Sequence, residues 1–402
     1  MKANERTLMA CNGTVVTPFR AIPDGVVRMC GDRIYAVGDR DTVEIPADAS
    51  VLDANGGLIV PGFVDLLAHG GGGFGFSDES MESIAGAAAY FLRHGTTAML
   101  AALHAKPRER LLNDCRLLAA HIRDNPDSII AGIHLEGPYL NPELCGAMNP
   151  DHLWAPSLES FRELADAGEG HIRIMTIAPE LPGALDIVRE ATFRGIVCSI
   201  GHSLADYATV QRAIGNGAAH VTHIFNAMKP VHHRKPSVVT ASLLHDELKI
   251  ELIADTVHVH PAMMRLLLKV KGPKGVILVT DSIRAGGMHA GETHFSEQPV
   301  RSDGERVTLS NGKLAGSVLT LNKAVRNMVR TAETTLTDAV RMATLNPAKV
   351  IGGGGGVLTS GRPANLAVLD SEFLVTHTVV GGRLAYARES EPDAKKTERR
   401  LA

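Results

Sequence analysis

From residue 60 to about residue 350 the chain repeats one pattern: a short run of Val, Ile, Leu and Ala, then a longer segment whose apolar positions recur with helical spacing. Eight runs can be read: LIVPGFVDLLAH, TTAMLAALH, SIIAGIHLEG, HIRIMTIAPE, GIVCSIGH, AAHVTHIFNA, KIELIADTVHV and GVILVTDS. They are continuously apolar rather than alternating, as expected of parallel strands buried on both faces. Eight such βα units predict an α/β fold, a (β/α)8 TIM-like barrel over residues 60–352. Its reactive groups should then lie at the C-terminal ends of the strands.

The flanks have another texture. Residues 1–59 contain short strand-like pieces such as GTVVTP, GVVRMCGDRIYAVG and SVLDANGGLIV, and the same texture returns in ANLAVLDSEFLVTHTVVGGRLAY. Neither piece holds enough strands for a core of its own, so residues 1–59 and 353–388 are expected to build one small β-sandwich domain from both chain ends. The run IGGGGGVL lacks the Lys-Ser/Thr pair of a phosphate-binding loop and reads as a junction between domains. Residues 389–402, charged and with little to bury, read as a disordered tail.

Composition narrows the class. Hydrophobic residues make up 45% and charged residues 21%, an ordinary globular balance. A net charge of −3, scattered Lys and Arg, and 4% aromatics argue against nucleic-acid binding. The five cysteines form no CxxC pair, which disfavours a disulfide framework and a thiolate zinc site. No basic segment followed by an apolar core opens the sequence, and no apolar run approaches the ~18 residues that span a bilayer. A cytoplasmic location is the expectation.

Chemistry gathers at the strand ends, which carry His69, His104, Glu136, Glu180, His202, His223, His258 and Asp281 in order. A hydrolytic metal centre typically takes three His or carboxylate ligands and leaves one position for water. Glu136, His202 and His223 supply that set, and Asp281 could act as general base toward water at the ion. Taken singly, each of these residues also reads as a polar group satisfied at a strand end, and Asp281 as a turn cap.

The motifs PGFVDLLAHGGGG, LEGPYLNPELCGAMNP, GHSLAD, VTHIFNAM, IADTVHV, LVTDS, AGSVLTL and ATLNPAKVIG, in this order, resemble those of the N-acetylglucosamine-6-phosphate deacetylases of the amidohydrolase superfamily. The resemblance spans nearly the whole chain. It implies a metal at Glu136, His202 and His223 and acid/base work by Asp281. Substrate contacts would come from Ala147, Met148, Asn226, Ala227, Arg234 and His258, and from Leu314, Ala315, Gly316 and Ser317. It also implies a homodimer in which Arg234 reaches the neighbouring site; a guanidinium fork suits a phosphate.

Two positions depart from the family. Leu67 stands where many relatives carry the first histidine of an HxH pair, which favours one divalent ion per chain over two and leaves His69 as a ligand or a supporting residue. Zinc is the leading candidate, with iron, manganese and cobalt fitting the same donors. Met148 stands where relatives usually carry a substrate-holding histidine, and methionine has no N–H to offer. Cys145, three residues earlier, reads either as a substitute contact or as a small loop residue. The expected activity is deacetylation of N-acetyl-D-glucosamine 6-phosphate to D-glucosamine 6-phosphate and acetate. The alternatives are a deacetylase for another N-acyl amino sugar, such as N-acetylgalactosamine 6-phosphate or an unphosphorylated sugar, and an inactive sugar-phosphate binding homologue.

Overall fold

The computed structural model describes residues 7–44 and 46–389, so the expected tail lies, but for Glu389, outside the described residues. Eight strands form one parallel sheet in sequence order: Phe63–Ala68, Thr96–His104, Ile130–Glu136, Ile172–Ile177, Val197–Ile200, His220–Val221, Lys249–Ile253 and Val276–Val279. The first and eighth close on each other just past their ends. There the Asp281 N–H donates to the Leu67 carbonyl at 2.8 Å, and Ala68 pairs with Ser282 in parallel. Asp65, an acid inside a fully buried strand, fastens the same seam. Its carboxylate accepts from Thr280 Oγ1 at 2.7 Å and from the Thr280 and Leu67 amides at 3.3 Å.

Helices cover the outside, and the apolar core runs continuously between them and the strands, for example through Leu66, Leu100, Ile133, Ile174, Ile250 and Ile277. The barrel interior also carries a polar layer. His134 Nδ1 lies 2.7 Å from the Leu66 carbonyl and must donate to it, so its Nε2 accepts from Thr176 Oγ1 at 2.8 Å. Thr222 and Ser199 hydroxyls extend that chain at 2.8 and 2.6 Å. Each member thereby finds a partner where water is excluded.

Both chain ends meet in a second, eight-stranded sheet, with Leu366–Leu369 antiparallel to Leu58–Pro61. It forks at Thr7–Val16, which pairs along one side with Ala21–Cys30 and along the other first with Ser50–Asp53 and then with Leu58–Pro61. Its core mixes Val15, Ile22 and Met29 from one end with Leu358, Leu366 and Val379 from the other.

After the eighth barrel strand comes a three-stranded antiparallel insert that sequence patterning did not predict: Gly291–Phe295, Gln298–Ser302 and Val307–Leu309. It leans over the mouth of the barrel. Among the described residues no helix is long and apolar enough to cross a membrane.

Candidate metal centre and active site

Glu136 is the last residue of the third strand, but His202 and His223 are not strand residues. Pairing stops at Ile200 and Val221, and both histidines sit two positions beyond, with φ of 47° and 27°. Asp281, two positions past Val279, likewise has φ 50°. Left-handed backbone costs a non-glycine residue roughly 1–2 kcal/mol. Three such residues around one mouth mark a place where side-chain direction outweighs backbone comfort.

The turns converge on Glu136. Its Oε1 lies 3.1 Å from His202 Nε2 and 2.9 Å from His223 Nε2, and the two nitrogens are 3.0 Å apart. On the other side Oε2 lies 3.0 Å from His69 Nε2, which is 3.4 Å from Asp281 Oδ1. Two triads of donor atoms therefore share one carboxylate: Glu136, His202 and His223, and His69, Glu136 and Asp281.

Whether these residues fit a metal can be judged from their hydrogen bonds. His202 Nδ1 is 2.7 Å from the Leu144 carbonyl, so it donates there, and Nε2 is the nitrogen turned toward the carboxylate and left to ligate. A ring nitrogen and a carboxylate oxygen at such a distance hold either a proton or a metal cation between them. Ligands about 2.0–2.2 Å from a tetrahedral zinc stand roughly 3.3 Å from one another, close to the spacing seen. The charges agree. Burial would lower the pKa of His223, but hydrogen bonding and attraction to Glu136 lift it to about 9. Burial would likewise lower His69, and Asp281 and Glu136 lift it to about 10. For Glu136, burial opposes ionisation, yet His202, His223 and His69 together hold it well below the usual carboxylate range. The centre is built to surround positive charge.

Support comes from a layer that sequence reasoning missed. Glu251 Oε2 accepts the His223 amide at 3.3 Å, and burial pushes that carboxyl up to about 8. Asp65 anchors Thr280 beside Asp281. Ser317, expected to line the pocket, turns instead beneath this segment, donating from Oγ to the Thr280 carbonyl at 2.6 Å and from N to the Asp281 carbonyl at 2.8 Å. Ala315 packs into the apolar cluster under the insert.

The donors open into a cavity of about 200 Å³, also lined by Ala147, Met148, Asn226, Ala227, His258, Phe295, Leu314 and Gly316. His258 is held by Asp255, whose Oδ2 is 2.6 Å from Nδ1. Met148 is buried against Ala105 and Leu140, with Cys145 and Leu153 at the edge of the same cluster. Cys145 is absent from the cavity wall, and burial raises its pKa, which keeps it a thiol. Arg234 is exposed on a loop with Nη1 2.7 Å from His233 Nε2, away from this chain's own cavity. Two strand-end candidates also fall outside. Glu180 accepts from Asn141 Nδ2 at 2.9 Å and Ser203 Oγ at 2.7 Å, and His104 Nδ1 donates to the Ala105 carbonyl at 3.0 Å.

The profile of the Amidohydrolase family matches residues 58–385. The chain belongs to the amidohydrolase family. It is similar to an N-acetylglucosamine-6-phosphate deacetylase of Bacillus subtilis (strain 168), 33% identical over 92% of this chain and 95% of the relative. It is also similar to an N-acetylgalactosamine-6-phosphate deacetylase of Escherichia coli O157:H7, 32% identical over 85% of this chain and 91% of the relative. Among solved structures, a mutant N-acetyl-D-glucosamine-6-phosphate deacetylase of Mycobacterium smegmatis, in complex with N-acetyl-D-glucosamine-6-phosphate, superimposes with a TM-score of 0.89. That protein shares 34% identity, over 96% of this amidohydrolase and all of the other chain.

Proposed function

We propose that this chain is a metal-dependent hydrolase that deacetylates N-acetyl-D-glucosamine 6-phosphate, giving D-glucosamine 6-phosphate and acetate. The observation that carries the reading is the Glu136, His202 and His223 triad with Asp281 facing it across His69, inside one small cavity. Relatives over nearly the full chain bear that activity in their names.

One divalent ion, zinc in the first instance, would be held by Glu136, His202 and His223, where it would polarise the amide carbonyl and make water a better nucleophile at neutral pH. Asp281 would take the proton of the attacking water and return it to the departing amine nitrogen. That role requires its carboxylate to stay free, which is why we assign the ion to the first triad and give His69 a positioning role between Glu136 and Asp281. Asn226, Ala227 and His258 would hold the sugar.

The phosphate needs a cation, and among the described residues no Lys or Arg lines the cavity. We therefore assign phosphate binding to Arg234 of a second copy in a homodimer, acting in the cytoplasm. Acetate release from N-acetylglucosamine 6-phosphate, with metal quantified in the same sample, tests the reading. Turnover with about one ion per chain supports it, and a metal-loaded protein that releases nothing refutes it.

A second reading rests on Met148. It places thioether rather than imidazole on the cavity wall, and a close relative is named for the galactosamine epimer. Comparing the two 6-phosphates and the unphosphorylated sugars separates these readings.

A further inference from the structure

Behind the catalytic cavity lies a second space of about 500 Å³, lined by Ser77, Glu79, His104, Lys106, Arg110, Arg284 and their neighbours. Two side chains line both spaces, His69 and Phe295. His69 is fixed by Glu136 and Asp281. Phe295 has no polar tie, and its ring packs edge-on against both His69 and His104, with centroids 5.2 and 5.0 Å away.

We propose that Phe295 is the wall that sets the length of the acyl group the site accepts. The inference rests on the N-acyl amino sugar reading above. With the amide carbonyl at the Glu136, His202 and His223 triad and the sugar toward Asn226 and His258, the acyl chain is directed to the remaining apolar side, formed by Ala147, Met148, Phe295 and Leu314. A methyl group ends there. A longer chain would have to pass through the Phe295 ring, beyond which is space.

That space is not built to hold a second charged ligand. Lys106 bonds Asp114 Oδ2 at 2.8 Å and Glu79 Oε1 at 3.1 Å, Arg284 bonds the Gly73 carbonyl at 2.8 Å, and Arg110 pairs with Glu79 and Glu297. Its cations are thus already matched, leaving room for water or for the end of an acyl chain.

The wall is also actively held. Phe295 and Gln298 are paired, so Ser296 and Glu297 form a two-residue hairpin turn with φ of 48° and 63°. Such turns favour Asn and Gly. Here neither occurs, and outside contacts hold the tip. Arg110 grips Glu297, Gln298 Nε2 donates to the Ala147 carbonyl at 2.8 Å, and the Asn149 amide reaches Ser296 Oγ at 3.4 Å.

The test compares kcat/KM for N-acetyl-, N-propionyl- and N-butyryl-glucosamine 6-phosphate in wild type, Phe295→Leu and Phe295→Ala. One methylene in a fitted apolar pocket is worth about 10- to 200-fold. Wild type should therefore reject butyryl strongly, and Phe295→Ala should raise the butyryl-to-acetyl ratio at least about tenfold, with Phe295→Leu between. Dissociation constants for the same series in an Asp281→Asn background read the effect without turnover, and Phe295→Leu keeps most of the packing if alanine unfolds the insert. A ratio unchanged in both kinetics and binding, with N-acetyl substrate still processed by wild type, overturns the wall. Absence of hydrolysis of every N-acyl amino sugar by metal-loaded wild type overturns the underlying reading, and the inference with it.

Discussion

Asp281→Asn isolates one property of one residue. The backbone there is left-handed, φ 50°, and Asn is among the few non-glycine residues that adopt this region readily. Its two main-chain anchors, N–H to the Leu67 carbonyl and carbonyl from the Ser317 amide, both 2.8 Å, do not involve the side chain. The isosteric substitution keeps these anchors and the backbone conformation, so its stability cost should be confined to the weakened contact with His69 Nε2, 3.4 Å from Oδ1, on the order of 1 kcal/mol. Asp281→Ala, by contrast, adds the roughly 1–2 kcal/mol strain of an alanine in that conformation.

What the Asn variant loses is a proton acceptor. General-base catalysis contributes about 10²–10⁴-fold, so kcat should fall by that factor, an increase of roughly 2.7–5.4 kcal/mol in the barrier. The assay is acetate release at saturating substrate, with bound metal and thermal unfolding measured on the same preparation. If the variant keeps more than a tenth of kcat, Asp281 is not the base. If it loses its metal, Asp281 is a ligand, and the mononuclear assignment fails as well.

Other outcomes follow from the same geometry. Glu136→Gln removes the carboxylate shared by both triads, and after dialysis the variant should hold no metal by mass spectrometry while wild type holds about one ion per chain. Arg234→Met should raise KM for the 6-phosphate with little change for the unphosphorylated sugar. Mixing it with Asp281→Asn subunits should restore about a quarter of wild-type activity in a statistical mixture, because half of the dimers are then heterodimers and one of the two sites in each keeps both residues. His220, buried in the barrel with neither ring nitrogen hydrogen-bonded, is held by burial at a pKa of about 3. Between pH 6.5 and 3 the unfolded chain takes up a proton that the folded one refuses, so stability falls as pH falls. His220→Leu should flatten that decline by up to about 1.4 kcal/mol per pH unit in urea titrations.

The sequence made the barrel readable because parallel strands buried on both faces leave continuous apolar runs, and eight of them pointed their polar residues the same way. It did not show how the residues are aimed. His202 and His223 look like strand ends in GHS and VTHIF, yet each lies in a left-handed turn past the last paired residue, and no local composition signals that turn. Asp65 could have been noticed. A carboxylate in the middle of FVDLLA must find donors if the strand is buried, and its partner Thr280 is the residue before Asp281. Ser317 was misplaced for a related reason: four consecutive residues cannot all face one cavity, so Leu314 and Gly316 do while Ala315 and Ser317 support them from behind.

The insert was invisible for a physical reason as well. Hairpins are recognised from Asn or Gly at the turn, but HFSEQP turns on Ser296 and Glu297, whose side chains are held by contacts to Asn149 and Arg110, far away in sequence. A turn without its own conformational preference must be stabilised by tertiary contacts, and two of them, from Gln298 to the Ala147 carbonyl and from the Asn149 amide to Ser296, run to the segment that carries Ala147 and Met148. The insert, the segment 147–149 and the wall at Phe295 are therefore coupled parts of one mouth. Loosening the tip, by replacing Glu297 for example, should change the butyryl-to-acetyl kcat/KM ratio even though that residue touches none of Glu136, His202, His223 and Asp281.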